Sequence, residues 1–295
     1  MCQRGGDGWG GGVAGDMIEM IQIHENVYIL KDRAGCCANL VTGREKALLF
    51  DTGSGIDDIN EAVRMITPLP LVVINSHGHF DHIGGNRQFD RVYMHMDDFC
   101  ILESYTPDLL ARWREEMIHG REGDCRGDGC QDAVCYGTGC QDVACPESPA
   151  QSPLHGAWGN MKPLDFHTLD LGQMECRMIP LKGHTAGSVG IWIPKLKLLL
   201  SGDALTPVMC LIFQNHLSVE EHYKTLKYVQ GINFDYYLTS HHGKAFSRDM
   251  IDRLIRCMEN SRNGKWHLYQ YPCPPYAEGK IYLDSLEPEP VALIC

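Results

Sequence analysis

Six consecutive residues, His77-Gly78-His79-Phe80-Asp81-His82, place three imidazoles and a carboxylate in one short stretch of chain. His77 and His79 are two apart with a glycine between them, so an extended or tightly looped backbone lets both grasp one ion. Asp81 and His82 then point elsewhere and can hold a second ion nearby. Neutral imidazole and carboxylate suit zinc, iron or manganese. Farther along, His184, Asp203 and the adjacent pair His241-His242 are further candidates, and a carboxylate at 203 could bridge two ions. Water held between two such ions has its pKa lowered from ~16 towards ~7 and becomes a nucleophile at neutral pH. The scattered histidines, His24, His95, His216 and His222 among them, lack such spacing and read as ordinary surface or core residues.

Each candidate follows an apolar, strand-like run. The run at 71–75 leads to His77, 176–181 to His184, 196–201 to Asp203, and 234–240 to His241 and His242. In α/β sheets ligands collect at the edge where strand ends open into loops, so four strands can aim these groups at one point. The intervening segments read as helices. Ile59, Ala62, Val63 and Ile66 share one face over 57–66, and Pro68 and Pro70 stop that helix. A second helix is expected around 96–117. Ser218 with Glu221 opens a third as a capping box, closed by Gly231. A helix over 248–259 and a short strand over 280–283 end a layered α/β chain.

These elements together resemble the metallo-β-lactamase-fold hydrolases, over roughly 17–244. The 77–82 segment matches the HxHxDH motif and is followed by Ile83-Gly84-Gly85-Asn86. Lys182-Gly183-His184-Thr185-Ala186-Gly187-Ser188 resembles the GHTxGS element, Ser201-Gly202-Asp203 the strand-end GD, His241-His242-Gly243 the last histidine-glycine pair, and Asp51-Thr52-Gly53 the DTG turn behind the site. The resemblance implies an αββα sandwich of two mixed β-sheets with helices on both outer faces. It implies His77, His79 and His184 on one metal, Asp81, His82 and His242 on another, and Asp203 shared. His242 is preferred over His241 because Gly243 follows it. Two zinc ions are expected, with iron or manganese as possible substitutes, and Asp81 is expected to orient the attacking water and carry its proton.

Aspartate at 203, where the best-known zinc β-lactamases have cysteine, disfavours antibiotic hydrolysis. The glyoxalase II- and lactonase-like branch is nearer, although no basic cluster for glutathione follows residue 244. The expected activity is hydrolysis of an ester, thioester or lactone of a small metabolite. Two rivals share the fold: a mononuclear-iron persulfide dioxygenase, which would use only the first metal group, and a non-catalytic metal-binding homologue.

Composition agrees with that class. The 295 residues are 44% hydrophobic, enough for a sizeable core, and no apolar run approaches a membrane span. With 26 basic and 38 acidic residues the formal charge is -12, which disfavours nucleic acid as a partner. The 14 cysteines are not spaced as a disulfide scaffold, and a reducing cytoplasmic setting is expected. Residues 1–16, with seven glycines, read as a flexible leader, with Met17 an equally good start. Residues 17–295 read as one domain carrying a Cys/Gly-rich insertion at about 121–150. There Cys125, Cys130, Cys135, Cys140 and Cys145 recur five apart in a tandem repeat, a spacing unlike a zinc knuckle. Trp113 and Trp158 flank it and are candidates for lining an entrance, as are Phe213, His216 and Tyr223 for a pocket wall.

Overall fold

A computed structural model describes residues 18–123, 158–270 and 277–295. The leader and most of the cysteine-rich insertion lie outside the described residues. The first sheet has seven strands in sequence order: β1 (Glu19–His24), β2 (Val27–Lys31), β3 (Cys37–Thr42), β4 (Ala47–Phe50), β5 (Leu71–Ile74), β6 (Val92–Met94) and β7 (Met161–Pro163). The second comprises β8 (Thr168–Asp170), β9 (Glu175–Pro180), β10 (Val189–Ile193), β11 (Leu198–Leu200), β13 (Tyr236–Leu238) and β14 (Phe246–Ser247). A third, smaller sheet joins β12 (Val208–Cys210) to β17 (Val291–Ile294), β16 (Glu278–Ser285) and β15 (His267–Gln270). The helices are α1 (Ile59–Ile66), α2 (Phe80–Ile83), α3 (Phe99–Leu102), α4 (Pro107–Gly123), α5 (Val219–Gln230) and α6 (Asp249–Ser261).

Period-two alternation of apolar side chains sorts the core into layers. From β2 to β5, Ile29, Val41, Leu48, Phe50 and Ile74 face inward and meet Cys176, Ile191, Leu200 and Leu238 of the second sheet. Their alternates Leu30, Leu40, Leu49 and Val73 face outward and are covered by Ile59 and Val63 of α1, Phe80 and Ile83 of α2, and Trp113 of α4. On the far side Leu199 and Tyr237 pack under Leu226 and Val229 of α5 and Ile251 and Leu254 of α6. The order is helix, sheet, sheet, helix, the expected αββα sandwich.

Two elements differ from the sequence reading. The helix expected over 96–117 is broken into α3 and α4, because Pro107 lacks the N–H a continuing helix needs and is placed at the start of α4 instead. The single C-terminal strand expected at 280–283 is the middle of β16, one strand of the third sheet.

Candidate metal centre

Parallel pairing of β4 with β5 and of β11 with β13 brings the carboxyl ends of four strands to one edge. Asp51 follows β4, Ser76 and His77 follow β5, Asp203 follows β11, and His241 follows β13. His79 caps α2, whose first turn carries Asp81 and His82. His184 comes from the loop between β9 and β10.

Two adjacent groups result. The ring nitrogens of His77, His79 and His184 converge, with 3.0 Å from His77 Nε2 to His79 Nδ1 and 3.0 Å from His79 Nδ1 to His184 Nε2. Asp81, His82, Asp203 and His241 form the second group. Asp203 Oδ2 lies between them, 3.6 Å from His184 Nε2, 3.4 Å from His82 Nε2 and 2.8 Å from His241 Nε2. Asp81 Oδ2 is 3.1 Å from His82 Nε2 and 3.6 Å from His241 Nε2.

The other nitrogen of each ring decides what faces the centre. His79 Nε2 donates to the Gln214 carbonyl at 3.1 Å and His184 Nδ1 to the Cys210 carbonyl at 2.8 Å, since a carbonyl only accepts. Ser76 spends its hydroxyl proton on Asp51 Oδ2, so its oxygen accepts from His77 Nδ1 at 2.9 Å. Three lone pairs therefore converge with no proton between them, which is unfavourable unless a cation stands there. His82 Nδ1 likewise donates to Asp51 Oδ2 at 2.9 Å, leaving Nε2 buried against two carboxylates without hydrogen-bond geometry to either. The donor set fits two divalent cations.

Charge preferences agree. Burial pushes His77 and His184 down, and His79 to about 3, so these imidazoles stay neutral. Burial opposes charge on His82 too, but Asp81, Asp203 and Asp51 outweigh it and hold it well above its usual range. A positive charge is demanded at its Nε2. Burial would raise Asp81 and Asp203, yet His82 and His241 keep both carboxyls low.

Of the seven expected ligands, His77, His79, Asp81, His82, His184 and Asp203 are brought together; His242 is not. The chain presents His241 instead. Ser240 is pinned on both sides, its hydroxyl to Asp51 Oδ2 at 2.6 Å and its carbonyl to Cys37 N at 2.8 Å. The next side chain faces the centre, and His242 turns away, with Nδ1 2.8 Å from Thr239 Oγ1 and its ring edge-on to Phe246. Phe213 does stand at the site, 5.9 Å and 6.2 Å from the rings of His79 and His184. Trp113 is core, packed on Phe80 and Tyr105, and Trp158 packs beside it. Tyr223 bonds to Glu259 across α5 and α6, while His216 Nδ1 lies against the Leu217 carbonyl.

Sequence reasoning misses Asp98. Fully buried, it accepts four hydrogen bonds: from Gly78 N and Thr185 Oγ1 on Oδ2, and from Gly187 N and Asn215 Nδ2 on Oδ1. Burial pushes its carboxyl up and the four donors pull it back. In the sequence it is simply the second of two adjacent aspartates, and no local signal marks it.

The metallo-beta-lactamase superfamily model matches residues 34–97, from before β3 to past the 77–82 cluster. The chain is 27% identical over 205 residues to the acyl-coenzyme A thioesterase MBLAC2 of Homo sapiens, a match over 65% of this chain and 64% of that protein. It thus spans less than two thirds of that relative's length. Among solved structures, a metallo-beta-lactamase from Pontibacter korlensis superposes with a TM-score of 0.53 at 17% identity, covering 83% of this chain and 100% of that one. The sec-alkylsulfatase Pisa1 from Pseudomonas sp. gives 0.59 at 14% identity, covering 83% and 42%. The fold is that of the metallo-β-lactamases. Residues 34–97 match that superfamily's model, and the fold around them is the same. Among the described residues no helix is long and apolar enough to cross a membrane.

Proposed function

We propose that this chain is a metal-dependent hydrolase that cleaves the thioester bond of a small-molecule acyl substrate, with related esters and lactones as secondary substrates. The observation that carries the reading is the pair of ligand groups joined through Asp203 Oδ2, the first with three ring nitrogens converging and the second with His82 Nε2 buried against two carboxylates and not hydrogen-bonded. The thioester preference is supported by the MBLAC2 relatives, which are named acyl-coenzyme A thioesterases.

His77, His79 and His184 would hold one divalent cation; Asp81, His82 and His241 would hold a second; Asp203 would serve both. Zinc suits this nitrogen-oxygen set. When bound, such a pair polarises a carbonyl and acidifies water. The chain's own residues supply the rest. Asp81 stays a buried carboxylate at the junction of the two groups and can take the proton of an attacking water at Oδ2. The Phe213 ring walls His79 and His184 from solvent, where charge interactions gain strength. The completeness of the second group favours two metals over the one that an iron persulfide dioxygenase would use.

The test is elemental analysis of the purified chain followed by a panel of acyl-CoA thioesters, simple esters and lactones. About two zinc per chain with thioesters turned over fastest is expected. One iron per chain, or metal bound with no hydrolysis across the panel, would overturn the reading.

A further inference from the structure

Three segments that do not touch one another in sequence must keep their relative register for the first ligand group to exist. The turn at 77–79 carries His77 and His79. The turn at 183–188 carries His184. The loop at 210–217 supplies the two carbonyls, of Cys210 and Gln214, that fix the tautomers of His184 and His79. None of the three is regular structure except the edge of β12; two backbone bonds, from Ala186 N to the Asn215 carbonyl and from Leu217 N to the Gly183 carbonyl, tie the second to the third, and neither reaches the turn at 77–79.

We propose that Asp98 is a positioning residue for this group, the single buried acceptor that locks all three segments together. The inference rests on the metal-site reading above. Asp98 takes the N–H of Gly78, the residue between the two histidines, at 3.0 Å. It takes Thr185 Oγ1 at 2.7 Å and Gly187 N at 2.8 Å, one and three residues past His184. It takes Asn215 Nδ2 at 2.8 Å, next to Gln214. All four partners are donors, so only the carboxylate satisfies them at once.

The surroundings leave no room for another solution. A Cβ on Gly187 would lie 2.6 Å from Asp98 Cγ, and one on Gly78 would lie 3.0 Å from the Asp98 carbonyl oxygen. Asn215 itself holds a left-handed backbone, φ 63°, a conformation asparagine tolerates, and its carbonyl accepts from Ala186 N at 2.9 Å. Asp98 and Asn215 thus form a clasp around the first group, and all four bonds of the Asp98 carboxylate go to segments that build that group.

The Asp98→Asn change keeps the shape and spoils the clasp. Its amide nitrogen must face either Gly78 N–H or Gly187 N–H, and neither backbone group can turn round. Zinc competition against a chromophoric chelator on the full-length chain reads the two sites separately, with His184→Ala and His241→Ala marking the first and second. The expected result is a 10- to 100-fold weaker first site, about the loss typical of an outer partner of a metal ligand, with the second-site constant unchanged.

Asn215→Gly is the companion variant, since glycine keeps the left-handed backbone and removes only the side-chain tie. It should weaken the same site several-fold, and it carries the test if Asp98→Asn does not fold. Two constants within about twofold of the parent in both variants, or equal weakening of both sites, would overturn the proposal and leave the metal-site reading standing. A parent chain that takes up no zinc would overturn both.

Discussion

Ser240 donates its hydroxyl to Asp51 Oδ2 at 2.6 Å, tying the end of β13 in one sheet to the end of β4 in the other beneath the metal centre. The same oxygen accepts from Ser76 Oγ and His82 Nδ1, and Oδ1 accepts from Ser76 N. One fully buried carboxylate therefore holds the sandwich shut and aims two of the histidines, His82 directly and His77 through Ser76.

Asp51→Asn should cost both functions. Asparagine tolerates the left-handed backbone at this position, φ 69°, so the change tests the charge and not the turn. Either amide orientation sets an NH2 against donors that have no other acceptor. A destabilisation of about 3 kcal/mol is expected, the scale of breaking buried hydrogen bonds to a charged group. Urea midpoint and metal content should fall together; a variant with normal stability and two bound metals would show that Asp51 is replaceable.

The assignment of His241 over His242 separates cleanly. His241→Ala removes a nitrogen 2.8 Å from Asp203 and should drop the bound metal from about two to about one per chain, with activity lost by several orders of magnitude. His242→Ala loses only the Thr239 bond and a contact with Phe246, so both metals should stay. Elemental analysis of the two variants side by side decides it, and the opposite pattern would reinstate His242.

Why the sequence points to the neighbourhood and not the residue follows from that case. The strands are legible because each is an apolar run ending abruptly in a polar group, a pattern written in consecutive residues. Which of two adjacent histidines faces the centre depends on Ser240 being held by Asp51 and Cys37, residues far away in the chain. Asp98 is harder still, since its four partners lie 20, 87, 89 and 117 positions away. The third sheet escapes notice for a different reason. In β15 and β16 apolar and polar residues mix, and Leu268 is 90% exposed, so neither strand shows a buried face. Hydrogen-bonding within the sheet that β17 completes makes them strands, and β17 arrives only at the end of the chain.

Phe213→Ala should act on the first ligand group before it acts on the fold. Phe213 is 6% exposed and packs with Ala34 and Cys36, a small cluster separate from the main layers. Truncation costs about 3 kcal/mol by the usual scale for a buried phenylalanine, but it also opens His79 and His184 to water. A faster exchange of one metal into chelator than in the parent is expected, and equal release rates would place Phe213 in packing alone.

Acid sensitivity offers a last test, through a histidine that is not a ligand. His222 on α5 is buried under Gly183, where a Cβ would come within 2.0 Å of its Nδ1. Burial, with His184 nearby, holds its pKa down to about 4. In the unfolded chain the ring protonates near pH ~6.5, so between there and about 4 the unfolded state binds the extra proton. Stability from this residue is complete above that window and is lost as pH falls through it, levelling off below about 4. The full loss is about 3.5 kcal/mol, since the window is about two and a half pH units wide and each contributes about 1.4 kcal/mol. His222→Leu keeps the site apolar and removes the proton. Urea midpoints at pH 7, 5.5 and 4.5 should show the parent falling more steeply than the variant. Parallel curves would mean that His222 takes its proton as readily in the folded protein as in the unfolded chain.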